Sequence, residues 1–600
     1  MSWVTDTRNG MHLDVGLMIK EGAPLVIQCT GNFTYDPLLM HPRVDLEIFC
    51  NNPAVPTAPG APTVGVALPR TMNTLDPSCM EFARQCIRQC QNEHPRCAKL
   101  PTRYTPTRVL DLGENDGSVI KLLCDSDASS AGWAALSHCW GTETKPPMLN
   151  AKNLQDWISG IDRSALPPTF SNAVDVCRAL SIRYLWIDSI CILQDDPKDW
   201  EREATRMGDV YQHAELVIVG ASSKGPEVPF LGPREDEWGT KTFHFETPFG
   251  DRLPLHVRKR RILAAPLDQG HYDPPFTDHW ATWKQAGPLY SRGWCFQEAY
   301  LAGRALHFAP GSLIYQCKTH RRSQESMPPY SLVYPGTFEE VSDYRKWHLL
   351  VKLYTARQLT FASDKLPAVS GLAVSMPQAG GSRYLAGLWS ESLLVDLLWH
   401  VSPTGNRSKT PMAYPPSEHR APSWSWASVK QGVLWNEYKN FEPLAQVMEA
   451  KCSVTEAAPF GAVSGGHLKL KARLKPCIVT HDRHKGQHHA YYIKPDGTKA
   501  KMRWFLGDGM LIPTVQEDSP QQGAVCRRYN VGMETYYDDF DGASALFLCL
   551  GRTGSWHYDH VGLVVAPSLG NPGCLERIGT INCVSKDWYD EGEERVVTVI

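Results

Sequence analysis

The sequence predicts an α/β protein, with a parallel sheet in its first half, a mainly helical stretch beyond it and a mostly β domain towards the C-terminal end. Three observations predict this. Between about 130 and 223, apolar runs alternate with helical periodicity in the order β-α-β-α-β, which calls for crossover connections and hence a parallel sheet. Residues 338–402 carry helical stretches. From about 420 onward, short apolar runs sit between Gly, Pro and Asp turns, the pattern of a β domain.

Taken in order, residues 1–75 form an N-terminal segment ending in a linker in which Pro53, Pro56, Pro59, Gly60 and Pro62 resist helix. Residues 76–129 supply a helix and strands leading into the core. The core itself spans 130–305. Its first strand is the run WAALSHC at 133–139, followed by Phe170, Ala173, Val174, Cys177 and Leu180 at helical spacing. The apolar run 184–193 reads as a buried strand, and Asp196 with Pro197 supplies an N-cap and first-turn proline for the next helix. Trp200, Ala204, Met207 and Tyr211 fall on one face of that helix, and ELVIV at 215–219 restarts a strand. Residues 224–285, rich in Pro, Gly and charge, read as an insertion. A helix over 290–302 with Ser291 as its N-cap and a strand over 304–308 close the core. Residues 306–410 are mainly helical and 411–600 mostly β. Within the latter, the alternation of small polar and aromatic residues at 422–428 suits a strand, as do the runs 468–474, 545–550 and 561–565.

Composition limits the function. A chain of 600 residues accommodates about three or four domains. With 42% apolar residues it can bury a core and is not disordered. A net charge of −3 gives no global attraction to nucleic acid or anionic lipid, so neither partner is expected. No leader of basic and then apolar residues opens the sequence, and no apolar run approaches the roughly 20 residues of a membrane span. A cytoplasmic protein is the expectation, with its 18 cysteines reduced. There is no Gly-Lys dipeptide for a Walker A loop, and neither G-x-S-x-G nor H-E-x-x-H occurs.

In an open parallel sheet, ligands bind beyond the carboxyl ends of the strands. Three predicted strand ends carry polar residues there: Ser137, His138, Cys139 and Trp140 after the first, Asp188, Cys191 and Gln194 in the second, and the 220–223 stretch after the third. Each also has a plain structural reading. Asp188 inside an apolar strand needs loop donors or an Arg, because an unpaired buried charge is costly. Cys139 and His138, as strand neighbours, point to opposite faces and make a poor thiol–base dyad. Cys191 and Cys295 suit small buried hydrophobes. Cys86, Cys90 and His94 lie four apart on one helical face, with Cys97 placed to turn back after Pro95. These four are the metal candidates, but their spacing matches no standard zinc pattern, so packing is favoured and no metal is assigned.

The strings ALSHCWG at 135–141, LWIDSICILQ at 185–194 with Glu203, Met207 and Tyr211 after it, and RGWCFQE at 292–298 resemble the three signature blocks of the fungal heterokaryon incompatibility (HET) domain. The resemblance covers about 130–305. Cys90-x3-His94-x2-Cys97, LTFASDKL at 359–366, Leu388-Trp389 and APSWSWAS at 421–428 resemble flanks common in large proteins of that family. Leu193 departs from the pattern, which often has Asn or Asp there. The resemblance implies a TIR-like, flavodoxin-like parallel sheet and a role in nonself recognition and regulated cell death, with protein partners and self-assembly. Some TIR domains hydrolyse NAD, and SRGWCFQE at 291–298 is similar to the TIR helix that carries the NAD-cleaving glutamate. By that carry-over Glu298 is the catalytic candidate, NAD the substrate, and Trp140 or Trp294 a stacking surface for a base or nicotinamide ring. Ser137 and Asp188 would line the pocket. No further cofactor is implied. The plain reading of Glu298 is a pair with Arg292 or a solvent-facing carboxylate. Two other functions fit the residues: a non-catalytic interaction module, and a biosynthetic enzyme that uses a cysteine thiolate on the same fold.

Overall fold

The computed structural model describes residues 3–6, 11–18, 24–33, 43–53, 64–97, 104–113, 119–124, 132–260, 287–325, 332–333, 343–376, 381–401, 420–436, 440–482, 487–493, 499–502, 505–507, 511–515, 524–528, 540–555, 558–568, 570–584 and 592–600. Parts of the expected linker (54–63), insertion (261–285) and helical stretch (402–410 among them) therefore lie outside the described residues. The chain divides into two units, 1–340 and 341–600, each mixing helices with a large sheet. No helix among the described residues is long and apolar enough to cross a membrane.

The first unit is built on a ten-stranded mixed sheet. Its main strands are β1 (Arg108–Asp111), β2 (Val119–Cys124), β3 (Trp133–Ser137), β4 (Tyr184–Trp186), β5 (Leu216–Val219), β6 (Arg304–Ala309) and β7 (Ser312–Cys317). The neighbours β4-β3-β5-β6 run parallel, so the parallel set is ordered second, first, third, fourth along the sequence. β1 and β2 extend one edge and β7 the other, all antiparallel. Every residue of β3, β5 and β6 is buried, as central strands covered on both faces require.

Four helices matter to the site: α1 (Pro77–Glu93), α2 (Pro168–Ala179) between β3 and β4, α3 (Pro197–His213) between β4 and β5, and α4 (Trp294–Leu301) before β6. In α2, Phe170, Ala173, Val174 and Cys177 are buried as their spacing predicts. α3 starts as read, with Pro197 in its first turn and the Asp196 carboxylate accepting the Lys198 N–H at 2.9 Å. Ala204, Met207 and Tyr211 face the core, whereas Trp200 is 37% exposed and meets the ring of Trp294 edge-on.

The structure corrects three local expectations here. The strand expected over 184–193 stops at Trp186, and a short helix, Asp188–Cys191, replaces its second half. Asp188 explains the change, because its carboxylate accepts the Ser189 N–H at 2.7 Å at the start of that helix. The first strand ends at Ser137 rather than Cys139. α4 is capped by Gly293, not by Ser291, whose hydroxyl donates to the Pro288 carbonyl at 2.7 Å within the turn Pro288–Ser291.

A six-stranded antiparallel sheet also belongs to the first unit. Strands Trp3–Asp6, Met11–Met18, Leu25–Phe33 and Arg43–Phe49 continue into Arg252–Arg260 and Thr240–Glu246. The described part of the sequence read as an insertion thus pairs with the N-terminal segment. Arg258 secures the junction, its guanidinium lying over the Phe49 ring at 4.2 Å and donating to Glu47 at 2.7 Å.

In the second unit, helices Asp343–Thr355 and Pro367–Ser375 precede a twelve-stranded sheet. The three apolar runs named above lie in strands Val463–Asp482, Phe540–Ser555 and Tyr558–Pro567. Residues 422–428 do not form the expected strand but a turn ending in the 3₁₀ helix Trp426–Ser428. Ser425 bends the chain: its hydroxyl accepts the Ala427 N–H and donates to the Ala386 carbonyl at 2.6 Å, leaving Trp424 and Trp426 fully buried.

Candidate functional site

The site forms where the loop after β3, the short helix after β4 and α4 come together. α4 packs on α3 and against β3 and β5. Parallel register places Ser137, the last residue of β3, beside Val219 of β5, which in turn lies beside His307 of β6. The carboxyl ends of the central strands are therefore level, as the topology argument required.

Asp188 is the polar hinge of this rim. Its Oδ2 accepts the Trp140 indole N–H at 2.8 Å, and its Oδ1 stands 3.7 Å from Nδ1 of His138. Loop donors thus satisfy the carboxylate, as its place in an apolar run demanded. His138 is buried edge-on against Phe170. Burial pushes its pKa down to about 4 despite the pull of Asp188, and Arg292 lowers it further, so the imidazole is neutral at pH 7. Arg292 donates to the His138 carbonyl at 3.0 Å, joining the start of α4 to the end of β3.

Glu298 lies inside this ring of residues and is only 4% exposed. The solvent-facing reading is therefore excluded. Burial raises its pKa to about 7 and the negative charge of Asp188 adds to the rise, while Ser137, Arg292 and Cys295 favour the ionised form. Its Oε2 has no hydrogen-bond partner among the described residues, and the hydroxyl of Ser137 likewise has none. Ser137 is thus near enough to ease ionisation without closing a hydrogen bond. Tyr211 faces the same carboxylate from α3, donates to the Leu136 carbonyl at 3.1 Å and is held protonated by burial and by the negative charge of Glu298.

The remaining rim residues divide by role. Gln194 donates through Nε2 to the carbonyls of Asp188 and Ile192, fixing the turn after the short helix. Trp140 and Trp294 are half-buried, and the Trp294 ring meets that of Trp200 edge-on. Cys139 and Cys191 are buried thiols, and burial pushes their pKa values up to about 11 and about 12. Both are protonated at neutral pH, the state of packing residues rather than nucleophiles.

Sequence reasoning missed the support beneath this rim. Arg108 of β1 forms a two-pronged buried ion pair with Asp199 of α3, at 2.8 and 3.0 Å, and also donates to the Cys191 carbonyl. Asp199 in turn accepts the Leu193 N–H at 2.9 Å. The backbone at Leu193 thus supplies a polar contact where its side chain offers none. The signal was weak, since Arg108 and Asp199 are 91 residues apart.

The metal candidates regroup. Cys90, His94 and Cys97 come together as a buried cluster with Cys317, and Cys86 is not part of it. Cys317 lies 220 residues beyond Cys97, outside any local spacing pattern.

Comparison with known proteins concerns the segment that carries these elements. Residues 133–298, from the start of β3 to Glu298, match the family model described as Heterokaryon incompatibility protein (HET), and this part of the chain is a HET domain. The chain is also similar to "Heterokaryon incompatibility protein 6, OR allele" of Neurospora crassa, 29% identical over 116 residues. That match covers 18% of this chain and 15% of the length of the relative. No solved structure matches the chain.

Proposed function

We propose that this chain acts in fungal nonself recognition through its HET domain, in the cytoplasm, and triggers regulated cell death by hydrolysing NAD at Glu298. The HET match and the incompatibility relative support the first part. The parallel order β4-β3-β5-β6 supports the TIR-like reading, because it is the order of flavodoxin-like sheets, in which ligands bind beside the first and third strands. Ser137 ends the first of these and Glu298 stands beside it.

The observation that carries the chemistry is the Glu298 carboxylate: buried, with a pKa raised to about 7 and one oxygen unpartnered. Such a group costs folding energy, and sites of this kind concentrate where chemistry is done. In NAD hydrolysis the N-glycosidic bond breaks, its electron pair passing to the pyridinium nitrogen so that nicotinamide leaves neutral. Water adds to the ribose C1′ and releases a proton. Ionised Glu298 would stabilise the oxocarbenium character of the ribose and hold its hydroxyls, with Trp140 or Trp294 stacking on the departing ring.

Because Glu298 is 4% exposed, the resting chain holds the site closed. This reading assigns the opening to self-assembly or to a protein partner. The same closure favours a second reading, a non-catalytic module that signals by contact alone. The thiolate-enzyme reading has no support at the rim, where Cys139 and Cys191 are protonated.

The test is nicotinamide release from NAD by the full chain and by Glu298→Gln, at low and high protein concentration. Release that rises with concentration and disappears in the folded variant is expected. Retained release in the variant removes Glu298 from the mechanism. No release from the wild type at any concentration, together with an intact cell-death response from Glu298→Gln in the fungus, establishes the contact-only reading.

A further inference from the structure

We propose that Cys90, His94, Cys97 and Cys317 bind a structural zinc ion that ties α1 to β7 of the main sheet. Cys90 lies in the last turn of α1, His94 caps that helix, Cys97 ends the 3₁₀ turn Pro95–Cys97, and Cys317 ends β7. All four are buried, and one donor atom from each lies within 4.8 Å of the others.

The distances suit a tetrahedral ion. With Zn–N about 2.05 Å and Zn–S about 2.3 Å, a tetrahedral edge between nitrogen and sulfur is about 3.6 Å. His94 Nδ1 stands 3.5 Å from Cys317 Sγ. Three thiolates and one imidazole form a closed, soft donor set with no position left for water or substrate, which selects zinc and a structural rather than catalytic role.

The surroundings treat the sulfurs as acceptors, which is the second and independent sign of bound thiolate. The backbone N–H groups of Thr319 and His320 both donate to Cys317 Sγ, at 3.4 and 3.2 Å. The guanidinium of Arg304 donates to Cys90 Sγ at 3.3 Å and to the Cys97 carbonyl at 3.1 Å. Arg304 is 6% exposed, and these two groups are its hydrogen-bond partners among the described residues. A buried cation without a carboxylate needs negative charge nearby. Three thiolates around a dication leave one net negative charge, which Arg304 balances. Donors of this kind around ligating sulfur are the usual outer shell of a metal site.

Packing alone explains less. Four apolar residues would fill the same space without aiming two backbone N–H groups and a guanidinium at sulfur. A local C-x3-H-x2-C run and one cysteine 220 residues later also pin α1 to the β6–β7 pair, and β6 directly follows α4.

The test is metal analysis of the full chain, purified without chelator and dialysed against metal-free buffer. About one zinc per chain is expected in the wild type and in Cys86→Ser, and at least a tenfold loss in Cys317→Ser. Should Cys317→Ser fail to fold, cobalt exchanged into the wild type gives the same answer through the thiolate-to-cobalt charge-transfer band and the intense visible bands of tetrahedral cobalt. A wild type without metal and without those bands overturns the proposal, as does a Cys97–Cys317 disulfide found by mapping under non-reducing conditions. Loss of zinc in a folded Cys86→Ser overturns the ligand set.

Discussion

The Trp140 indole N–H donates to the Asp188 carboxylate at 2.8 Å, joining the loop after the first parallel strand to the short helix after the second. This contact explains how a charged residue stands in an otherwise apolar run. Asp188 leaves the strand at Trp186 and spends its oxygens on the Ser189 N–H and on Trp140. Replacing Trp140 with Phe keeps the ring and removes the donor. A hydrogen bond to a charged group contributes about 1.5–3 kcal/mol, so Trp140→Phe should lower the unfolding free energy by that amount in urea titration. No change in the midpoint would show that water replaces the indole at no cost.

Arg108 and Asp199 hold the floor of the same rim, with the guanidinium fork closed on both carboxylate oxygens. Removing one member of a buried pair costs about 3–5 kcal/mol where it leaves the other charge uncompensated. Asp199→Asn leaves Arg108 so, whereas after Arg108→Met the Asp199 carboxylate keeps Arg202 and the Leu193 N–H. Asp199→Asn should destabilise by that order and Arg108→Met by less, while the double variant loses less than the sum of the two. Additive losses in the double-mutant cycle would show that the two groups are not coupled.

How far the sequence could be read depends on how local each signal is. The Asp196–Pro197 cap and the apolar face through Ala204, Met207 and Tyr211 are written within one helix, and the structure has them where the spacing puts them. The burial of β3 and β5 is likewise local, a matter of continuous apolar residues. Asp188 misleads because the period of the run 184–193 fits a strand, whereas its carboxylate turns to the Ser189 N–H and to Trp140, 48 residues upstream. The turn at Ser425 misled in the same way, since a hydroxyl bound to the Ala386 carbonyl cannot be inferred from alternation. The place of Ser137, Trp140, Asp188 and Gln194 near one rim is legible because topology alone sends strand ends there. Glu298 came only through the family motif, and Cys317 and Arg108 act through partners too distant in sequence to leave a pattern.

Thiol chemistry separates the rim from the surface. Cys139 and Cys191 are buried with raised pKa values, whereas Cys124 at the end of β2 is exposed. Iodoacetamide at pH 7.5 should modify Cys124 in the native chain and reach Cys139 and Cys191 only after denaturation. Rapid alkylation of either rim thiol in the native state would restore the thiolate-enzyme reading.

Glu298 and His138 make opposite contributions to stability as pH changes. The carboxyl pKa is raised from 4.5 to about 7 in the folded chain, so between those values the native state holds a proton that the unfolded state has lost. Stability from this group falls as pH rises through that window, and the penalty reaches about 3 kcal/mol above pH 7. The imidazole pKa is lowered from 6.5 to about 4, so there the unfolded state binds the extra proton and stability rises with pH. The two slopes overlap between pH 4.5 and 6.5 and largely cancel in the wild type. Glu298→Gln should therefore be more stable than the wild type at pH 8, and it should show the bare His138 slope of up to about 1.4 kcal/mol per pH unit between pH 4 and 6.5. Denaturant unfolding of both proteins across pH 4–8 measures this. A variant that is less stable than the wild type at pH 8 would mean that the carboxylate is satisfied in the native chain, and the case for Glu298 as a strained catalytic group would fall with it.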